Sequence, residues 1–271
     1  MDLDSPHLIG SGGDDAPVIV TGEFEQDWIE LAVHGRWNLK LASDVRAGIY
    51  KCIVEHPAAV LVDLRNLDDP EAASVAMWLA AYRAGSIPQP PVRFALCAPP
   101  GAPLATRLRK VGAHQFLTVF SDMPEAREAL RTSLPVPDCL HVRLAPTRGS
   151  LSQARDLVGH ACAAWHLTRL LYPVRIVLSE LVNNALEHAR TTIRLTAARR
   201  GTGLYLAVRD DDPRLPALLE PPASDAPGSV LLEHGQGLRL VHASASAWGA
   251  RATPGGKVVW ATIHGHGRSM P

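Results

Sequence analysis

From residue 17 the chain alternates short apolar runs with amphipathic stretches. Residues 17–23 and 28–34 predict strands, the second on Trp28, Ile29, Leu31 and Val33. Val45, Ile49, Cys52 and Ile53 recur at helical spacing, behind a cap at Ser43 or Asp44. Residues 58–64 (AAVLVDL) are continuously apolar, as in a strand covered on both faces. A helix over 70–83, a strand over 92–97, a basic helix over 104–111, a strand over 116–119 and a helix over 124–130 complete the order β-β-α-β-α-β-α-β-α. Strands alternating with helices predict an α/β layer.

The rhythm changes after residues 132–138 (TSLPVPD), which read as a linker on Pro135 and Pro137. A strand near 140–144 precedes helices over 150–165 and 173–189. Strands over 192–198 and 203–209 follow, then an irregular, proline-rich stretch over 211–234 of the length of a lid. A helix over 237–245 and strands over 248–252 and 257–263 close the chain. This half predicts α+β, with helices on one face of a mixed sheet. The organisation is a flexible lead over 1–16, one domain over 17–132, a linker over 133–138, a second domain over 139–265 and a tail over 266–271.

Composition narrows the partners. Lys+Arg and Asp+Glu are 27 each, so no net field steers nucleic acid or an anionic membrane toward the whole chain. No apolar run nears the ~18 residues of a membrane span, and the acidic start lacks the basic end and apolar stretch of a signal peptide. A cytoplasmic protein is expected. Cys52, Cys97, Cys139 and Cys162 form no C-x-x-C pair and read as reduced thiols. His264 and His266 read as part of a solvated end rather than a metal site.

Three segments carry candidate chemistry. In SELVNNALEH, Leu178, Leu181, Val182 and Ala185 share one face, while Glu180, Asn184 and His188 fall on another at spacings of four. A carboxylate there can take a proton from a hydroxyl, and an amide oxygen one turn on can hold Mg²⁺ beside a phosphate. Alone, the same spacing also fits a solvated face. Asp210 ends a predicted strand and can accept from the amino group of a bound base, although VRDDDPRLP also reads as an Asp-rich turn. Gly235, Gly237 and Leu238 open a helix whose bare N–H groups can cradle phosphate. A P-loop and a Rossmann turn are both excluded: Arg251 stands where the first needs glycine, Val258 where it needs Ser/Thr, and Leu240 where the second needs its third glycine.

The order of these boxes resembles the ATP-binding domain of the histidine-kinase, gyrase and Hsp90 class. Within it, SELVNNALEHA and GQGLRLV…WGARATPGGKVVW are most similar to the anti-sigma-factor serine kinases common in actinobacteria. The resemblance spans about 139–263 and implies a Bergerat-type two-layer α/β sandwich that binds ATP and Mg²⁺. By position it implies Glu180 as general base and Asn184 as Mg²⁺ ligand. Asp210 would read adenine, and Gly235, Gly237 and Leu238 would contact the nucleotide. Two departures stand out. The family's D-x-G-x-G reads Asp210-Asp211-Asp212-Pro213-Arg214, with both glycines replaced. Val258 follows GGK where relatives often carry Thr, so the resemblance implies a pocket without that hydroxyl.

The first domain resembles a STAS domain, the fold of anti-anti-sigma factors, through its element order and LVDLRNLDDPEAASVAMWLAAYRAG. In phosphorylatable relatives D-S-S-G starts that helix and its first Ser takes the phosphate. The matching residues here are Glu71-Ala72-Ala73-Ser74, and neither alanine has a hydroxyl. The domain therefore reads as a binding module that is not modified at the usual site.

Two functional readings follow. One is an ATP-dependent serine/threonine protein kinase in partner-switching control of transcription, acting on a separate STAS protein or alongside a sigma factor. The other is an ATP-gated protein-binding regulator without catalysis. Both expect protein partners, neither nucleic acid nor membrane, and both admit a homodimer through the ATP-binding domain.

Overall fold

The structure is a computed structural model that describes residues 7–9, 16–21, 27–134, 138–216, 237–253 and 255–265. The chain divides into two compact units. One comprises residues 11–137; the other joins residues 1–10 to 138–271.

The first strand, β1 (His7–Ile9), pairs in parallel with a strand near the other end of the chain and belongs to the second unit. This corrects the reading of 1–16 as wholly a flexible lead. Backbone pairing at a sheet edge depends on a distant partner, so local composition carries no sign of it.

In the unit over 11–137, β2 (Val18–Thr21), β3 (Trp28–Val33), β5 (Ala59–Asp63), β7 (Arg93–Cys97) and β8 (Thr118–Phe120) form one sheet in the order β2-β3-β5-β7-β8. The last four strands run parallel, with β2 antiparallel at the edge. Two-residue strands β4 (Gly35–Arg36) and β6 (Leu67–Asp68) pair separately and were not expected from the pattern. Helices α1 (Leu39–Glu55), α2 (Val75–Gly85) and α3 (Pro103–Lys110) make the crossovers that parallel strands require. Val45, Ile49, Trp78 and Leu108 pack with Leu31, Val60 and Leu96. Met123, Ala126 and Leu130 of α4 (Met123–Ser133) pack with Leu61 and Ala95. Neighbours in β5 thus enter two different cores, as its unbroken apolar run predicts.

Two helix starts differ from expectation. Helix α1 begins before Ser43 and Asp44, because Asn38 caps it by accepting from Leu41 N–H at 2.9 Å. Helix α2 begins at Val75 rather than 70. Ala72 sits in the left-handed region (φ +52°), and the Asp69 carboxylate accepts from the backbone N–H groups of Ala73 (2.8 Å) and Ser74 (2.9 Å). Residues 69–74 are therefore a turn that delivers the helix.

The second unit carries β9 (Cys139–Leu144), α5 (Gly149–Ala164), α6 (Leu171–Asn184), β10 (Ile193–Arg200), β11 (Gly203–Asp210), α7 (Gly237–Ser244), β12 (Ala247–Thr253) and β13 (Gly256–Ile263). Its sheet has the order β1-β12-β13-β11-β10-β9, antiparallel except for the β1–β12 pair. Leu178, Leu181 and Val182 of α6 pack with Leu195, Leu206, Val208, Val259 and Ala261 of the sheet. Burying each such side chain contributes roughly 1.5–3 kcal/mol. The result is the expected α+β sandwich, with helices on one face of a mixed sheet. The predicted linker prolines and residues 217–236 of the lid-length stretch lie outside the described residues.

Candidate functional site

Helix α6 holds the first part of the site. Its apolar stripe is fully engaged: Leu178, Leu181, Val182 and Ala185 are each at most 1% exposed. Glu180 and Asn184 are half-buried on another face. After Asn184 the helix widens into a π turn (Ala185–Ala189), closed by Arg190 at φ +54°. That turn breaks the four-residue spacing, and His188 is exposed on it, so the alignment expected for His188 with Glu180 and Asn184 is not kept. Single π turns inside helices recur at functional sites.

The structure brings Glu180 against Gly237, although 57 residues separate them in sequence. A Cβ added at Gly237 would overlap Glu180 Oε2, and α6 and α7 pack together. Glycine at the first residue of α7 is what lets the carboxylate lie at that helix start. Leu238 is half-buried and packs against the core. Gly235 lies outside the described residues.

Burial pushes the Glu180 carboxyl above the usual carboxylate range. Glu187 pushes in the same direction, and Arg155 of α5 opposes it. The Arg155 guanidinium is fixed through Nε (3.0 Å) and Nη2 (2.8 Å), both donating to Ser179 Oγ. A carboxylate with a raised pKa is suited to receive a proton.

Asp210 forms the second part. Its side chain is 1% exposed at the end of β11. It pairs in register with Lys257 of β13, itself 3% exposed at the side chain, and Nζ donates to Asp210 Oδ1 at 3.0 Å. The same ammonium donates to the Asp212 carbonyl at 3.1 Å, and Asp212 N–H donates to Asp210 Oδ1 at 2.9 Å. Among the described residues neither bond to Asp210 uses Oδ2. Burial leaves the Asp210 carboxyl raised from its ordinary value; the Asp212 amide and Lys257 offset part of the rise, and the Asp212 charge adds to it. Gly256 allows the close pairing here, since a Cβ on it would overlap the Asp210 carbonyl.

The two replaced glycines have a structural role. Arg214 donates to Asp212 through Nε (3.0 Å) and Nη2 (2.8 Å), and its backbone N–H also donates to Asp212 Oδ1 at 3.0 Å. The guanidinium holds the Asp212 carboxyl well below the usual range. A closed ion pair thus joins these two positions.

The role read for Val258 is corrected by register. Val258 pairs with Arg209, one residue beyond the Asp210–Lys257 pair, and so faces the opposite side of the sheet. The residue beside Asp210 is Lys257. The sequence reading also missed Arg155, Glu187 and Gly256. The GGK run marks Lys257, but only the pairing of β11 with β13 assigns it a partner.

In the other unit Ser74 is 0% exposed. Its hydroxyl donates to Asp69 Oδ2 (2.6 Å) and accepts from Trp78 Nε1 (2.9 Å).

The residues fit ATP with Mg²⁺. Gly237 opens a cradle that a Cβ would fill, Asp210 Oδ2 takes no hydrogen bond among the described residues, and Asn184 offers an amide one turn beyond Glu180. Helix α6 packs across β11 and β13, which puts these groups on the helix-covered side of the sheet. Among the described residues no helix is long and apolar enough to cross a membrane.

Residues 144–263 match the family model of the histidine kinase-like ATPase domain. No curated protein matches the chain. Among solved structures, an anti-sigma factor antagonist from Mycobacterium paratuberculosis is 16% identical with a TM-score of 0.38. The alignment covers 45% of this chain and 98% of that one. A structure of the RsbU and RsbW domains of a Mycobacterium tuberculosis protein is 21% identical with a TM-score of 0.36. That alignment covers 48% of this chain and 33% of that one.

Proposed function

We propose that the chain is an ATP-dependent serine/threonine protein kinase of a partner-switching system, in which a STAS-like domain over 17–132 precedes the kinase domain. The observation that carries this reading is the Glu180 carboxylate, half-buried, raised in pKa and pressed against Gly237 at the start of α7. Bound ATP with Mg²⁺ would supply the γ-phosphoryl group and neutralise its charge. Asp210 Oδ2 would accept from the adenine amino group. By the resemblance Gly235, Gly237 and Leu238 would hold the phosphates, and the Asn184 amide oxygen would serve as a ligand for the metal. Glu180 would take the proton of the partner's Ser or Thr hydroxyl as the new O–P bond forms and the bond from the γ-phosphorus to the ADP oxygen breaks, ADP leaving with that oxygen's charge. The acceptor is a separate STAS-type protein, and the outcome is the holding or release of a regulator such as a sigma factor. The site of action is the cytoplasm, and the kinase domain pairs as a homodimer.

The attached STAS-like domain acts as a docking module rather than a substrate. Ala72 and Ala73 carry no hydroxyl, and the Ser74 hydroxyl is buried and used in both directions.

The Asp212–Arg214 pair favours a second reading, a nucleotide-gated binding protein without transfer, because it fills positions where the family has bare backbone. One experiment separates the two. Proteins co-purifying with the full chain are incubated with labelled ATP and Mg²⁺, using wild type and Glu180→Gln. Label on a partner that is lost in the variant supports the kinase. ATP binding without label supports the gate, and no ATP binding refutes both.

A further inference from the structure

Asp210 is a buried carboxylate that, among the described residues, accepts two hydrogen bonds, both on Oδ1, from Lys257 Nζ at 3.0 Å and Asp212 N–H at 2.9 Å. The ammonium is fixed in turn by the Asp212 carbonyl at 3.1 Å, with Asp212 Oδ2 at 3.9 Å. Resting on the reading of Asp210 as the base-reading group, we propose that Lys257 is a positioning residue for nucleobase specificity. It holds Asp210 as an ionised acceptor with Oδ1 filled and Oδ2 turned to the ligand, so that the site takes 6-amino purine nucleotides and rejects 6-oxo ones.

The argument is one of charge and direction. A carboxylate this buried is stable as an anion only beside a cation and hydrogen-bond donors. Without the ammonium, burial favours the protonated form. A protonated carboxyl carries an O–H and can donate. The group that accepts from a 6-amino donor then becomes one that satisfies a 6-oxo acceptor. Lys257 therefore controls which base edge fits, without touching the base.

The charged groups around Asp210 support this assignment. Lys257 comes from β13 and Asp212 from the loop beyond β11. Arg214 is engaged by Asp212. Asp211 is exposed, and its amide donates to Thr191 Oγ1 at 3.1 Å. On α6 and its π turn the titratable groups are Tyr172, Arg175, Glu180, Glu187 and His188, none of which pairs with Asp210 among the described residues. Among the described residues Lys257 is thus the cation that sets its charge.

The test is calorimetric binding of ATP and inosine triphosphate to the full chain from pH 6 to 8.5, with folding checked by circular dichroism. In the wild type the ATP preference is on the order of 10²-fold or more and flat across that range, as for a site built around one hydrogen bond. In Lys257→Met the preference falls by about tenfold or more at pH 6 and recovers as pH rises, because Asp210 then deprotonates and accepts again. Lys257→Arg keeps the cation and keeps both the preference and its flatness. A Met variant with the wild-type preference at every pH overturns the proposal, as does one whose preference drops equally at every pH. If the Met variant does not fold, the other two proteins decide. A preference that titrates between pH 6 and 8.5 in the wild type, or is lost in the Arg variant, overturns it. A wild type that binds no ATP refutes the reading of Asp210 itself, a result distinct from ATP binding without base preference.

Discussion

Gly237→Ala isolates the geometry on which the proposed chemistry rests. A Cβ at this position would overlap Glu180 Oε2, stand 3.4 Å from its Cδ and 3.8 Å from its Cβ. Carbon and oxygen settle at about 3.3–3.6 Å, so the carboxylate must withdraw by about 1 Å. All three nearest atoms belong to the Glu180 side chain, so a rotation relieves the overlap and the backbone stays in place. That off-rotamer shift costs about 0.5–1.5 kcal/mol, and the helix propensity of alanine over glycine offsets up to about 1 kcal/mol. The melting temperature should therefore move by no more than about 3 °C. A 1 Å misplacement of a reacting group can cost about 10²-fold in rate, and that is the loss expected in phosphate transfer. The assay compares transfer of labelled phosphate to a co-purified partner at saturating Mg·ATP, beside thermal melts and ATP calorimetry. A folded Gly237→Ala that transfers phosphate at the wild-type rate would refute the placement of Glu180 as the base.

Glu180→Gln should keep ATP binding and lose about 10²–10⁴-fold in transfer, since the amide cannot take a proton. Glu180 must be unprotonated to act, and burial and Glu187 raise its pKa, so the acid limb of the rate profile lies above the ordinary carboxylate range. Glu187→Gln removes the like charge and should move that limb to lower pH; a limb that stays or rises contradicts the assignment. Asp210→Asn should weaken ATP in calorimetry, because an acceptor becomes a group that can donate toward the adenine amino group. Ala72→Gly should stabilise its unit by roughly 0.5–1 kcal/mol in urea unfolding, the relief of a left-handed alanine less the added freedom of the unfolded chain. Mass spectrometry after incubation with Mg·ATP should find no phosphate on residues 70–76, and stoichiometric phosphate on Ser74 would restore an ordinary kinase–substrate fusion.

Much of the architecture was legible because it is local. The stripe Leu178, Leu181, Val182, Ala185 specifies a helix and its buried face from spacing alone, and the unbroken run in β5 specifies a strand covered twice. The boundaries that moved did so through single side chains. Asn38 capped α1 ahead of Ser43, and Asp69 gathered the N–H groups before α2. Such hydrogen bonds compete on equal terms with other nearby caps, so pattern does not rank them.

The site divides in the same way. The sequence by itself determined which groups have the right chemistry: Glu180, Asn184 and Asp210, in an order that resembles an ATP-binding family. Only the tertiary structure decided what each of them touches. Lys257 meets Asp210 across a strand pair 47 residues apart, and Val258, its neighbour, is turned to the other face by the two-residue period of the strand. Gly237 meets Glu180 because α7 packs on α6, and His7–Ile9 joins a sheet whose partner strand begins at residue 247. Strand register and helix packing are set by contacts between distant residues, and the free energy that selects them is spread over a whole core rather than written into any one segment.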